Sequence, residues 1–344
     1  MLIKLFALAF FLSSTLALSK EVQCHLLFKS DDPVSQSLIA FQNGKQDTTS
    51  LRQEVKYVIK TKTLEAYLAQ LQTAFGTKMT NRDKPAEGTK NITSTNYMTV
   101  VKYYSGGKKL SAKVRFRKYF TRDTTDIHWR NLKVSDELKT QSWLELKIQH
   151  PDYDNVVIKP RLKTYDTDLR WITSDNFFDH KEGLTKRLYL LNPDKKDDVD
   201  RFMNFLTEMN RTPSMRVENL FAKTEYERVS YSLKMKPPAD KNGKAKSFDV
   251  QITLDENIRL TRMRDQEKYN VYGNDETVIE VKIPVAYSNL SQQNIADIPE
   301  LQNVKDFIVW LENHHENKYP MNKGKMSKIE KRHDLDRTQE YDYE

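Results

Sequence analysis

The feature that most constrains this chain is a series of short segments that alternate apolar and polar residues, with cations crowding the polar side. In AKVRFRKYF, residues 112–120, Lys113, Arg115 and Arg117 take one face of a strand while Val114 and Phe116 take the other. Six more segments read the same way. RQEVKYVI puts Arg52, Glu54 and Lys56 on one side, WLELKIQ puts Glu145 and Lys147 there, and VIKPRLK adds Lys159, Arg161 and Lys163. YERVSYSLKM contributes Arg228, Ser230, Ser232 and Lys234, VQITLD contributes Gln251, Thr253 and Asp255, and VIEVKI contributes Glu280 and Lys282. The seven polar faces together hold twelve cations against four acids, and their excess matches the +8 net charge of the whole chain.

A solvated sheet face mixes charge signs more evenly than this. For any one strand, an antiparallel sheet with a wet outer face is the simpler reading. Seven strands with the same bias favour a second one: an α+β fold built on an antiparallel β-barrel, with a polar cationic lumen and helices packed outside. Such a lumen repels itself if dry, so it must be wet or hold a polyanion. Guanidinium forks and ammonium points suit phosphate, and the interspersed carboxylates suit a divalent cation. Spacing alone does not choose between the two readings.

Net charge and a pI of about 9.1 point the same way, to an anionic partner: nucleic acid, anionic membrane or a phosphate-rich small molecule. The aromatic content of 10% excludes wholesale disorder despite 30% charged residues. A single cysteine, Cys24, makes no internal disulfide, so packing alone must hold the fold. Residues 1–19 read as a signal peptide, with a basic start, a short apolar run and small residues after it. A secreted or periplasmic protein with no membrane span after signal removal is the expectation. Residues 20–50 read as a leader or edge segment, 51–330 as the tunnel domain and 331–344 as a charged tail.

Between the strands, Leu64, Leu68, Leu71 and Phe75 share a helix face closed by Gly76. Residues 193–210 and 303–317 read as further helices. Ser105-Gly106-Gly107 and Asn242-Gly243 read as hairpin turns, and residues 156–165 as one strand. Asn91, Asn210 and Asn289 begin glycosylation sequons, to be used only if the host glycosylates. His314-His315-Glu316 reads as a solvated helix face, because adjacent helical side chains diverge by about 100°. No P-loop, HExxH or GxSxG motif is present. Tyr97, Tyr103, Tyr104 and Tyr119 beside basic strands suit single-stranded nucleic acid. The embedded Glu54, Glu145 and Glu280 argue against that reading and make nucleic acid an unlikely partner.

The ordered motifs RQEVKY, KVRFRKY, LELK, KPRLK, YERVSY, VQITLDENIR, VIEVK and GKMSK resemble the catalytic domain of the vacuolar transporter chaperone (VTC) family, a branch of the CYTH-like triphosphate tunnel metalloenzymes. The resemblance runs from Arg52 to Lys328. It implies metal-dependent phosphoryl transfer in a basic tunnel, with ATP as donor and inorganic polyphosphate as product. A secreted tripolyphosphatase or nucleoside triphosphatase, or a non-catalytic polyphosphate binder, is the alternative, favoured by the scarcity of ATP outside the cytosol. Carried over by position, Lys56, Arg115, Arg117, Lys147, Lys159 and Arg228 would act on the phosphates. Arg52, Lys113, Arg161, Lys282, Lys325 and Lys328 would help bind ATP, tripolyphosphate or polyphosphate, and Glu280 with Glu54 would hold Mn²⁺ or Mg²⁺. The pattern departs at Gln251, where the family carries arginine; Arg259, Arg262 and Arg264 are the nearby substitutes.

Overall fold

The computed structural model describes residues 25–27, 31–44, 52–82, 87, 89–123, 142–151, 156–212, 217, 222–236, 247–262, 268–270, 272–284 and 299–314. The signal-peptide reading, the Asn242-Gly243 turn, the Asn289 sequon, Arg264, Lys325, Lys328 and the charged tail lie outside the described residues. Among the described residues no helix is long and apolar enough to cross a membrane.

The alternating segments become the long strands: β2 (Arg52–Lys60), β4 (Thr89–Ser105), β5 (Lys108–Asp123), β6 (Ser142–Gln149), β9 (Ala222–Met235), β10 (Phe248–Arg262) and β12 (Glu276–Pro284). Short strands β1 (His25–Leu27), β3 (Met79–Asn81), β7 (Val157–Ile158), β8 (Arg161–Thr164) and β11 (Lys268–Asn270) complete a twelve-stranded sheet. Its main path runs β2-β12-β10-β9-β4-β5-β6-β7. Pairing is antiparallel except for β1, which lies parallel to β4. Among the described residues no hydrogen-bonded ladder closes the sheet. Its two ends meet at an isolated bridge, Gln53 opposite Val156, and at Lys147 Nζ, 3.1 Å from Glu54 Oε2 across the gap.

Gly106 and Gly107 have φ of 55° and 75°, so the two-residue β4–β5 loop is a type I′ turn, as the Gly-Gly pair predicts. The expected single strand at residues 156–165 is instead two. Pro160 has no N–H to give the ladder and biases the residue before it, so β7 and β8 flank Lys159-Pro160.

Six helices, α1 (Pro33–Asn43), α2 (Thr61–Phe75), α3 (Leu169–Ile172), α4 (Phe177–Leu191), α5 (Lys196–Arg211) and α6 (Pro299–His314), cover the outward faces. The leader segment yields α1, which the sequence pattern did not disclose. Asp32 caps it, its Oδ1 accepting from the backbone N–H of Val34 and Ser35 at 2.9 and 3.0 Å. Val34, Leu38 and Phe41 of α1 then join Val114, Phe116, Leu144 and Leu146 of the sheet and Phe202 and Phe205 of α5 in one core. A second core forms where α2 and α6 cover Ile59, Val250, Ile252, Ile279 and Val281. Each such side chain contributes on the order of 1.5–3 kcal/mol by leaving water. That drive fixes which face of every strand turns out, and so which face turns in.

The Asn210 sequon is closed to modification in this fold. The Asn210 amide donates to Leu206 O at 2.9 Å, and its Oδ1 accepts from Val217 N at 3.3 Å. His314 is exposed and stacks on Trp310 with ring centroids 4.5 Å apart, while His315 and Glu316 lie outside the described residues.

Candidate functional site

With the apolar faces turned out, the polar faces of β2, β12, β10, β9, β4, β5, β6 and β8 line a lumen. It opens into a cavity of about 1350 Å³ bounded by Arg52, Glu54, Lys159, Arg161, Arg228, Gln251 and Lys282 among others. Strand direction and register order the lumen by depth. Arg52, Lys282, Gln251, Tyr119, Trp143 and Arg161 form the rim. Further along the strands, Lys56 stands opposite Glu280 and Glu280 opposite Thr253, Arg228 stands opposite Asp255, Arg115 opposite Glu145, and Lys113 opposite Lys147. Lys113 is the deepest of the expected cations and is 7% exposed. Lys163 and Lys234 are exposed and do not join the lumen.

One wall is organised by Glu145, which is fully buried. Arg115 Nε donates to its Oε2 at 2.8 Å, and Arg117 Nη1 lies 3.6 Å from the same oxygen. Arg161 Nε and Lys159 Nζ lie 2.7 and 3.7 Å from its Oε1. Burial pushes the Glu145 carboxyl up, but Arg117, Lys159, Arg115 and Arg161 outweigh it and hold the group ionised well below the usual carboxylate range. Arg161 also lies over the Trp143 and Tyr119 rings, at 4.6 and 5.6 Å, and donates to the Tyr119 hydroxyl at 2.7 Å.

The opposite wall carries two carboxylates that converge on one ammonium. Lys56 Nζ is 2.9 Å from Glu280 and 3.9 Å from Glu54. Lys282 Nζ lies 2.5 Å from Glu280, Thr253 donates to Glu280 at 3.3 Å, and Lys147 donates to Glu54 at 3.1 Å. Burial and the nearby Glu280 push Glu54 up, yet Lys147, Lys56 and Lys282 hold it at about 2. Glu280 is likewise held well below its ordinary value, with Lys282, Lys56 and Arg228 overcoming burial. Beside them Asp255 takes Arg228 in a two-pronged bond, at 2.5 and 2.7 Å.

Among the described residues no three metal-ligating side chains cluster. Two ionised carboxylates sharing one cation still fit a magnesium-type ion, which commonly takes one or two carboxylates and completes its shell with substrate phosphate oxygens and water.

Two lysines are poised differently. Burial, then Lys56 and Arg115 against the opposing pull of Glu54, bring Lys147 down to about 8. Burial and the flanking arginines push Lys159 well below its ordinary value despite Glu145. A bound polyphosphate supplies negative charge and raises both. Binding of tripolyphosphate near pH 8 is therefore expected to take up protons. Calorimetry in two buffers of different ionisation enthalpy reads that uptake, and affinity is expected to fall as pH rises from 7 to 9. A pH-independent binding constant would contradict this picture.

The fold thus brings Lys56, Arg115, Arg117, Lys147, Lys159, Arg228, Arg52, Lys113, Arg161, Lys282, Glu280 and Glu54 to one lumen. Asp255, Thr253, Tyr119 and Trp143 join them; Tyr119 shares its strand's period-two phase with Arg117 and Trp143 with Lys147, while Thr253 and Asp255 share theirs with Gln251. Of the substitutes for Gln251, Arg259 alternates with the inward Ile258 and Leu260 and faces outward, so it does not replace the missing charge. Tyr97 and Tyr103 are buried, at 5% and 0% exposure, which removes two rings of the expected base-stacking platform.

No family model matches the sequence, and no curated protein matches it significantly. Among solved structures, the chain is similar to one in the Schizosaccharomyces pombe Mediator head module, with 11% identity, 77% of this chain and 96% of that one covered, and a TM-score of 0.32. It is also similar to HpAC1 from Hippeastrum, assigned as an adenylyl cyclase and described as having a dominant triphosphatase activity, with 10% identity, 76% and 88% coverage, and a TM-score of 0.31. At these scores the site's own geometry carries the functional reading.

Proposed function

We propose that this chain binds a linear triphosphate in its lumen and transfers a phosphoryl group with the help of Mg²⁺ or Mn²⁺. The observation that carries the reading is the convergence of buried cations on a water-accessible cavity whose only nearby compensation, among the described residues, is a few ionised carboxylates. Phosphoryl transfer asks for positioning and neutralisation of charge on oxygen rather than for a protein nucleophile. Lys56, Arg115, Arg117, Lys147, Lys159 and Arg228 supply that field, with Arg52, Arg161 and Lys282 extending it toward the mouth and Lys113 further along β5. Glu54 and Glu280 would hold the metal, which when bound neutralises phosphate oxygens. Lys325 and Lys328 belong to the proposal through the GKMSK motif.

The acceptor is water or the end of a polyphosphate. The resemblance to the VTC family favours polyphosphate, and the expected secretion to an ATP-poor compartment favours water. Purified protein given ATP or tripolyphosphate with Mn²⁺, followed by gel for polymer and by assay for free phosphate, separates the two. Tripolyphosphate that neither binds nor reacts would end the reading. Sequencing the N-terminus of the exported protein tests cleavage of the signal peptide.

A further inference from the structure

On β2, β12, β9, β10 and β4 the lumen does not stay polar along its length, whereas β5 and β6 carry Lys113 and Lys147 past the level of Tyr97. Below Lys56 on β2 the next inward residue is Val58, and below Glu280 on β12 it is Val278. On β9 the inward series passes from Arg228 to Tyr226, and on β4 it reaches Tyr97. These pack with Ile258 and Leu260 into a third apolar cluster, separate from the two outer cores. All six are at most 6% exposed, and none lines the open cavity.

The way Ile258 and Leu260 arrive there is specific. On β10 the inward positions are Gln251, Thr253 and Asp255, so an unbroken strand would next turn Asn257 and Arg259 inward. Instead the register shifts between Glu256 and Arg259, with Asn257 at φ 49°. This bulge exchanges the faces, turning Arg259 out and Ile258 and Leu260 in. Asparagine tolerates the left-handed conformation better than most residues, so the exchange costs little. A polar continuation of this strand is thereby replaced with an apolar floor.

We infer that the tunnel is blind: a linear oligophosphate enters from the rim, terminal phosphoryl first, and cannot thread through the apolar floor. This rests on the phosphate-site reading above and narrows it. Attacking and leaving oxygens lie roughly in line across the transferred phosphorus. With the leaving chain pointing to the rim, the attacker must stand between the terminal phosphoryl and the floor, where a second phosphate chain has no way in and a water already in the lumen can sit. The oxygen of water then bonds to the terminal phosphorus, the bridging P–O bond breaks, and its electron pair stays on the shortened chain. One water proton remains on the released orthophosphate and the other leaves to the shortened chain or solvent. The expected ligand class is therefore the free end of a short linear oligophosphate, consumed one orthophosphate at a time.

The test counts protein chains per polymer. Monodisperse polyphosphate of about a hundred units is titrated with the full protein at 150 mM salt and the complex is sized by sedimentation, with Arg228→Gln as the control for binding outside the lumen. A blind tunnel loads at most two chains per polymer, one for each end, whatever the polymer's length. More than two copies whose binding is lost in the control would overturn the inference, as would elongation of a tripolyphosphate primer by ATP. Two copies per polymer with orthophosphate release in parallel support it. Failure of both tripolyphosphate and polyphosphate to bind at all strikes the underlying site reading instead, and is distinguishable on that ground.

Discussion

Glu145→Gln is expected to destabilise the protein by roughly 3–5 kcal/mol, the cost of leaving buried charge without its partner. Arg115, Arg117, Lys159 and Arg161 all lie within 3.7 Å of the Glu145 carboxylate, so its removal exposes four cations to one another. Two accompanying signatures separate this from an ordinary core defect. First, tripolyphosphate is expected to raise the melting temperature of the variant more than that of the wild type, because the ligand restores the missing negative charge. Second, the deficit depends on pH. The native Glu145 carboxyl titrates well below its unfolded value, so its contribution is complete above the unfolded carboxylate range and is lost as pH falls toward the folded one. Wild type and variant should therefore converge in acid. Thermal melts from pH 3 to pH 8, with and without tripolyphosphate, check both signs; a deficit constant across that range would mean that Glu145 acts through packing alone.

Glu280→Gln should separate binding from chemistry. Glu280 holds Lys56 and Lys282 at 2.9 and 2.5 Å, and its neutralisation leaves the lumen one charge more positive. Metal-free affinity for tripolyphosphate is expected to hold or rise, while metal-supported release of orthophosphate falls by at least about a hundred-fold. Partial recovery at high Mn²⁺ would place the loss at the metal. Calorimetry without metal and a phosphate-release assay with it give the two numbers. Parallel loss of binding and turnover would show instead that Glu280 only orders its lysine neighbours.

The division between sequence and tertiary structure is physical. Period-two alternation is a local property of an extended chain, so it was enough to sort Lys56, Arg115, Arg117, Lys147, Arg228 and Glu280 onto the polar face of their strands before any strand was paired, while burial of the opposite faces under the helices decided that this face turns inward. The same signal held Trp143 in phase with Lys147 and Asp255 in phase with Gln251, although neither Trp143 nor Asp255 was read as part of the site. Alternation fails wherever the backbone breaks its own period. Pro160 divided an expected strand into β7 and β8, and the bulge at Asn257 turned Ile258 and Leu260 inward where the pattern alone would place Arg259. The helix α1 stayed hidden because its burial depends on Phe202 and Phe205, far along the chain. Which carboxylate meets which cation, and whether the lumen is open at both ends, depend on register and on the tilt of one strand against the next. Those are set by packing across the whole sheet, which no single segment encodes.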